Sequence, residues 1–222
     1  MKIRRSLSLA LVGAALTTAV AVPAASAATP VDAPAGSVLD LLEADGTAFD
    51  SNWYDFDILE AAARVVVSAP DKGSSTVLAL ADPTAKLTVL APNDRAFQVL
   101  ARSLTGKWYW SEEAVLGAIA GAITNGLGAD LEDTLEAVLL YHVIGAKVTF
   151  ADVKALSGKS VATVGGGTIG IKYYPWLNLL TLRDKDGDAV NPWVINSKRN
   201  IAVGTNSIVH GIALVLRPID LP

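Results

Sequence analysis

Most hydrolytic and metal chemistry near neutral pH runs through histidine or cysteine. This chain of 222 residues has two histidines, His142 and His210, and no cysteine. A nucleophilic triad would need one imidazole beside an acid and a Ser on a sharp elbow, yet no Gly-x-Ser-x-Gly occurs. Neither histidine has an acidic or Cys partner at ligand spacing. Each sits in an apolar run, so each reads as a buried imidazole hydrogen-bonded to backbone. Gly165-Gly166-Gly167 lacks the Lys-Ser pair of a phosphate loop and reads as a flexible hairpin. Asp184, Asp186 and Asp188 fall at the first, third and fifth positions of a calcium loop. Ala189 stands where that loop needs Gly and Ile195 where it needs Glu, so an Asp-Gly turn is the better reading. We therefore expect no catalytic residue, no cofactor and no metal ligand.

The periodicity lays out the elements that carry these residues. Ser37 can cap a helix in which Val38, Leu41 and Leu42 share a face, with Gly46 as its stop. A second helix is expected from about Asp55 to Val67, with Asp55 and Asp57 near the positive end of its dipole. Asp71 to Ser75 is a loop, and Thr76 to Ala81 a short apolar turn. Leu87 to Leu90 reads as a buried strand, turned by Ala91-Pro92-Asn93-Asp94 into a helix through Leu104. Further helices are expected at Glu112 to Ile123 and from Leu131, where Leu135, Val138 and Leu139 share its side. The second half changes to short alternating runs at 147–150, 160–164, 168–173, 178–183, 194–196, 200–205 and 208–216, which read as strands. Helices early and strands late imply an α+β domain, its helices packed against a mostly antiparallel or mixed sheet formed by the C-terminal half. No period of roughly 20 to 50 residues recurs, so one copy of the domain is expected.

Lys2, Arg4 and Arg5 precede an uncharged apolar run from Leu7 to Val22 that ends in Ala25-Ser26-Ala27. This has the form of a secretory signal peptide over residues 1–27, too short for a comfortable membrane span. The Arg4-Arg5 pair leaves both the general and the twin-arginine export routes open. Residues 28–36, rich in Pro and Ala, read as a flexible leader, 37–218 as the domain and 219–222 as a tail. Removing three basic residues with the signal leaves 15 Lys and Arg against 22 Asp and Glu, a formal charge of −7. That balance argues against nucleic acid as a partner. No second hydrophobic span follows, so the mature chain is expected to carry no integral membrane segment.

Three segments resemble one family in order and at fitting distances. Leu87-Thr88-Val89-Leu90-Ala91-Pro92-Asn93-Asp94-Arg95-Ala96-Phe97 is similar to the first signature block of fasciclin (FAS1) domains. Leu139-Leu140-Tyr141-His142-Val143-Ile144 resembles the family's central Leu-Tyr-His motif. The run from Asn206 to Pro218, containing Ile208-Val209-His210-Gly211-Ile212, is similar to the second block. The resemblance covers about Ser37 to Pro218 and implies a fasciclin-like fold in a secreted, single-domain bacterial member. It implies structural roles for Thr88, Pro92, Asn93, Phe97, Tyr141, His142, Asn206 and His210. The chain departs from the second block at Ser207, where the family usually has Gly, and at Ala213, where it has an acidic or amide residue. Extra residues fall around 46–53, 105–130 and 173–193. No short acidic-aliphatic motif of the integrin-binding members is found, so that property does not carry over.

All five tryptophans, Trp53, Trp108, Trp110, Trp176 and Trp193, lie outside the signature blocks, in or beside the extra segments, with Tyr109 and Tyr174 among their companions. Such rings either stack on sugars or partner proteins, or pack on one another as a satellite core. The resemblance implies a binding or adhesion module and not an enzyme, contacting cell-wall polysaccharide or an extracellular protein. A carrier of a small apolar ligand between helices and sheet is the alternative.

Overall fold

The computed structural model describes residues 36–44, 48–69, 75–187, 190–204 and 206–219. The expected signal peptide, all of the leader but Gly36, Gly46, most of the 71–75 loop, Ala189 and the tail beyond Ile219 lie outside them.

Caps fix the helical half. Helix α1 (Val38–Leu42) begins at a closed capping box, in which the Ser37 amide donates to the Asp40 carboxylate at 2.7 Å and Ser37 Oγ accepts from the Asp40 amide. Helix α2 (Asp57–Ser68) has no cap from its own N-cap residue. The Ile58 amide donates instead to Asp94 Oδ1, at 2.8 Å and from the next helix. A 3₁₀ turn at Thr76–Ala81 leads to β1 (Thr88–Pro92). Asn93 Oδ1 accepts from the Ala96 amide to start α3 (Asp94–Thr105), which Gly106 ends in the left-handed region at φ 72°. Ser111 caps α4 (Glu112–Gly121), which runs on into a π turn at Ala122–Gly126. Asp130 caps α5 (Leu131–Tyr141), and β2 (Val143–Ile144) follows directly.

The run at 147–150 corrects one expectation. It is not a strand, because Thr149 and Asp152 close a second capping box and start α6 (Phe150–Ala155). Next come β3 (Ser160–Ala162), β4 (Thr168–Tyr174), β5 (Leu179–Arg183), β6 (Ile201–Val203) and β7 (Ser207–Ile212). The run at 194–196 is also no strand. Val194 makes a single bridge to Ile212, and a 3₁₀ turn starts at Asn196.

The α+β arrangement holds, with its strands divided between two sheets. One has the order β2-β1-β7-β6, with β1 and β7 parallel and the outer pairs antiparallel. The other is the antiparallel set β3-β4-β5. The first sheet is a middle layer: Val89, Ala91 and Val209 face the helices, while Leu90 and Ile212 face Ile169, Ile171, Leu180 and Leu182 of the second sheet. Every residue of β1 and β7 is accordingly buried, which is why both read as continuous apolar runs.

The Gly165-Gly166-Gly167 turn is a packing device where a flexible hairpin was expected. The Gly165 amide donates to the Leu140 carbonyl at 3.0 Å, holding the turn against the end of α5. A methyl group on Gly167 would stand 2.5 Å from Tyr141 Cε2, inside any allowed contact, so the buried Tyr141 ring requires glycine there.

Candidate functional site

The signature residues are fasteners of the middle sheet. Thr88 Oγ1 donates to the Ala146 carbonyl at 2.6 Å and accepts from the Val148 amide at 2.8 Å. Pro92 ends β1 opposite Ile212, and the Asn93 amide donates to the Ile212 carbonyl. Tyr141 Oη donates to the Thr168 carbonyl at 3.0 Å, tying α5 to the second sheet. Asn206 is half-buried in the turn before β7. Ser207, the departure from the family's Gly, donates through Oγ to the Ala85 carbonyl at 2.7 Å and accepts from the Leu87 amide. Ala213 holds its place by a backbone bond from its amide to the Trp193 carbonyl.

Both histidines are buried with both ring nitrogens engaged. His142 Nε2 accepts from the Leu216 amide at 2.9 Å, which leaves Nδ1–H to donate to the Val138 carbonyl at 2.8 Å. His210 Nδ1 accepts from the Asn200 amide at 3.1 Å, and Nε2–H donates to the Val148 carbonyl at 3.0 Å. Burial lowers the pKa of both, that of His142 to about 4, so both are neutral at pH 7. No ring nitrogen is left for a metal or a nucleophile.

The tryptophans fall into separate groups. Trp108 and Trp110 contact each other at 6.5 Å between ring centroids, and the guanidinium groups of Arg95 and Arg102 lie 5.2 and 4.6 Å from the Trp108 centroid. The Arg95 amide also donates to the Trp53 carbonyl, which brings the half-buried Trp53 to the same end of α3. Tyr109, half-buried, is held by Gln98 Nε2 at its carbonyl. Tyr174 and Trp176 pair edge to face at the β4–β5 turn, with centroids 5.6 Å apart. Trp193 bridges to Thr181 of β5. Among the described residues no ring contact joins the Trp108–Trp110 pair to the Tyr174–Trp176 pair. Trp110 and Trp176 are 77% and 78% exposed, Trp108 and Trp193 37%.

An apolar cavity of about 420 Å³ opens between α3, α4, α5 and the segment after β7. Phe97, Leu100, Ile123, Leu135, Val138 and Val215 are among its walls, and Asp130, Asp133 and Arg217 reach its edge.

Residues 71–218 match the family model of the fasciclin domain. The chain belongs to the fasciclin family. Among solved structures it is similar to a FAS1 domain pair from the insect cell adhesion molecule fasciclin I, at 18% identity and a TM-score of 0.40. That likeness covers 72% of this chain and 43% of the other, so this chain spans less than half of that structure's length. No curated protein matches the chain. Fasciclin domains are generally adhesion and binding modules, extracellular or surface-associated, of a family without catalytic function. No single helix among the described residues is long and apolar enough to cross a membrane.

One feature of this fasciclin chain escaped the sequence reading. Asp55, Asp57 and Asp94 are buried where α2 and α3 begin, and Glu112, at the first residue of α4, is fully buried beside them. Asp57 stands in the first turn of α2, near the positive end of its dipole as expected, and it is buried there with Asp55. Burial first, then the facing Asp55 carboxyl, pushes Asp94 up to about 9. Burial, with Asp50 and Asp55 adding like charge, also raises Glu112. The only trace in the sequence is the density of acids at 50, 55 and 57, and Glu112 stands far from them. Of the three loop acids Asp188 lies outside the described residues, and Asp184 and Asp186 close on a cation of the chain itself. Asp184 Oδ2 accepts from the Arg217 amide at 2.8 Å, and Asp186 pairs with the Arg217 guanidinium at 2.7 Å.

Proposed function

We propose that this fasciclin domain, spanning 37–218, is a secreted binding module that attaches through Trp108, Tyr109 and Trp110 to cell-wall glycan or to an extracellular protein. The observation that carries the reading is the exposed Trp110 ring beside a Trp108 braced by two arginines. A large ring left in water contributes nothing to the core, whereas a rigid aromatic flanked by guanidinium groups suits a binding hot spot. The Tyr174–Trp176 pair, with Trp193 near β5, offers a second such platform. Trp110→Ala should weaken attachment to wall material or extracellular matrix in a pull-down at least tenfold. Its stability should stay within about 0.5 kcal/mol of the parent, as for other surface changes. Full retention by Trp110→Ala and Trp108→Ala alike would defeat the reading.

The cavity supports a second reading, a carrier of a small apolar ligand, because about 420 Å³ lies within the range of small-molecule sites. A native mass spectrum of protein recovered from the culture medium tests this reading and the export signal together. A chain starting at Ala28 is expected from the Ala25-Ser26-Ala27 signal end. A persistent adduct, lost in Ile123→Trp, is expected of a carrier. A bare mass removes the carrier, and a chain still starting at Met1 removes the signal.

A further inference from the structure

The acidic group at the start of α2, α3 and α4 has a geometry that charge repulsion alone would not hold together. One carboxylate oxygen from each of Asp50, Asp55, Asp57 and Glu112 lies within 4.8 Å of each of the others. Ligands on opposite sides of one Ca²⁺ ion stand about 4.6 to 5.2 Å apart, given Ca–O distances of roughly 2.3 to 2.6 Å. All four oxygens therefore fit around a single ion.

A second observation is independent of that clustering. Glu112 Oε1 is buried and has no hydrogen-bond partner, while Asp55 Oδ1 and Asp94 Oδ2 are buried beside it on carboxyl groups that face each other. Glu112 is fully buried and uses its other oxygen, Oε2, to accept from the Asp50 amide at 2.8 Å. Among the described residues no Lys, Arg or His pairs with Asp55, Asp94 or Glu112. Leaving such oxygens bare is costly, since a buried carboxylate is normally paired, protonated or bound to a metal. For Glu112 Oε1 the described residues supply no donor. Asp50 is exposed and gives the group an open side through which an ion and its remaining waters can enter.

We propose that Asp50, Asp55, Asp57 and Glu112 form a site for one hard divalent cation, best suited to Ca²⁺. The ligands are all carboxylate oxygens, a set that favours Ca²⁺ or Mg²⁺ over Zn²⁺, which prefers nitrogen and sulfur. Mg²⁺ fits less well because it demands a tight octahedron and keeps its waters. The bound ion joins the 50–57 loop to the first turn of α4 and neutralises a focus of negative charge. It also anchors the stretch that carries Trp53 close to the start of α4, just after Trp110.

The test uses the full mature chain, freed of metal by a chelator and then dialysed. Calorimetric titration with CaCl2 should show one site, with an affinity in the roughly 0.1 to 1 mM range usual for extracellular calcium modules. The melting temperature should rise with CaCl2, less with MgCl2 and not specifically with ZnCl2. Asp55→Asn and Glu112→Gln should each weaken binding at least tenfold, while the chelated variants melt no lower than the parent because a repulsion is relieved. If Glu112→Gln fails to fold, Asp50→Asn, on the exposed rim, must show the same weakening. Absence of heat and of any melting shift up to about 10 mM of all three salts overturns the site. So does calcium binding that is undiminished in Asp55→Asn and Asp50→Asn, which would place the ion elsewhere.

Discussion

Asp94→Asn should make the protein more stable at pH 8 in the presence of a chelator, by about 3 kcal/mol, and leave it unchanged near pH 4. The folded chain holds the Asp94 proton up to about 9, against an ordinary value of 3.8. Burial is the main cause, the facing Asp55 carboxyl the next, and Glu112 adds to it. A folded value above the unfolded one means that the group's contribution is complete below about 3.8 and drains away as pH rises toward 9. One pKa unit is worth about 1.4 kcal/mol, so even half of the interval from 3.8 to 8 amounts to about 3 kcal/mol. Asn keeps the oxygen that accepts from the Ile58 amide, and its NH2 can donate to Asp55 without a proton being taken up. Urea unfolding at the two pH values reads the effect. A variant less stable than the parent at pH 8, or one with the same margin at both, would show that Asp94 is ionised in the fold.

His142→Ala should cost about 3 to 5 kcal/mol at pH 7, because one change removes packing and strands two backbone groups. The Leu216 amide loses its acceptor, the Val138 carbonyl loses its donor, and a ring-sized void opens among buried residues. The penalty should shrink on acidification. His142 has its folded value lowered to about 4, below the ordinary 6.5, so the unfolded chain takes up the proton first. Its contribution is therefore complete above about 6.5 and falls as pH drops toward 4, by about 3 kcal/mol in all. Comparing parent and variant at pH 7 and pH 4 isolates this histidine, since every other group titrates in both proteins. A penalty that does not vary with pH would mean that the imidazole keeps its ordinary value, as an exposed ring does, and one that grows on acidification that it is charged in the native state.

The same residues show what the sequence could carry. Asn93 caps its own helix, and Thr88 and His142 stand in signature blocks, so their types and order are enough to place them and to suggest the fasciclin fold, although Thr88 reaches Ala146 and His142 reaches Leu216 across 58 and 74 positions. The start of α6 reads as a strand although Thr149 and Asp152 stand in capping-box spacing, because the four residues 147–150 alternate in character as a strand end does. The division of the strands into two sheets was not legible. It depends on which face of β1 meets β4 and β5, and a run buried on both faces gives no alternation to read. The acidic group was missed for a related reason. Glu112 reaches Asp50 across 62 positions, and charged residues at helix starts are ordinarily solvated. The Trp groups were found by their placement outside the signature blocks, but only tertiary structure could tell the Trp108–Trp110 pair from the Tyr174–Trp176 pair.

The parallel pairing of β1 with β7 also sets a schedule. Leu87 donates to Ser207, 120 positions further on, and every backbone link between the two strands closes a loop of that order. Ribosomes deliver a chain from its amino end, so β1 waits, without its inner neighbour, until the 120 positions that separate it from β7 have been added. Local helices can form and dissolve in the meantime, but the layer against which both cores are built is absent. The middle layer, and with it both cores, therefore closes only once β7 has been made, so the fold is committed by its latest strand and not by its earliest.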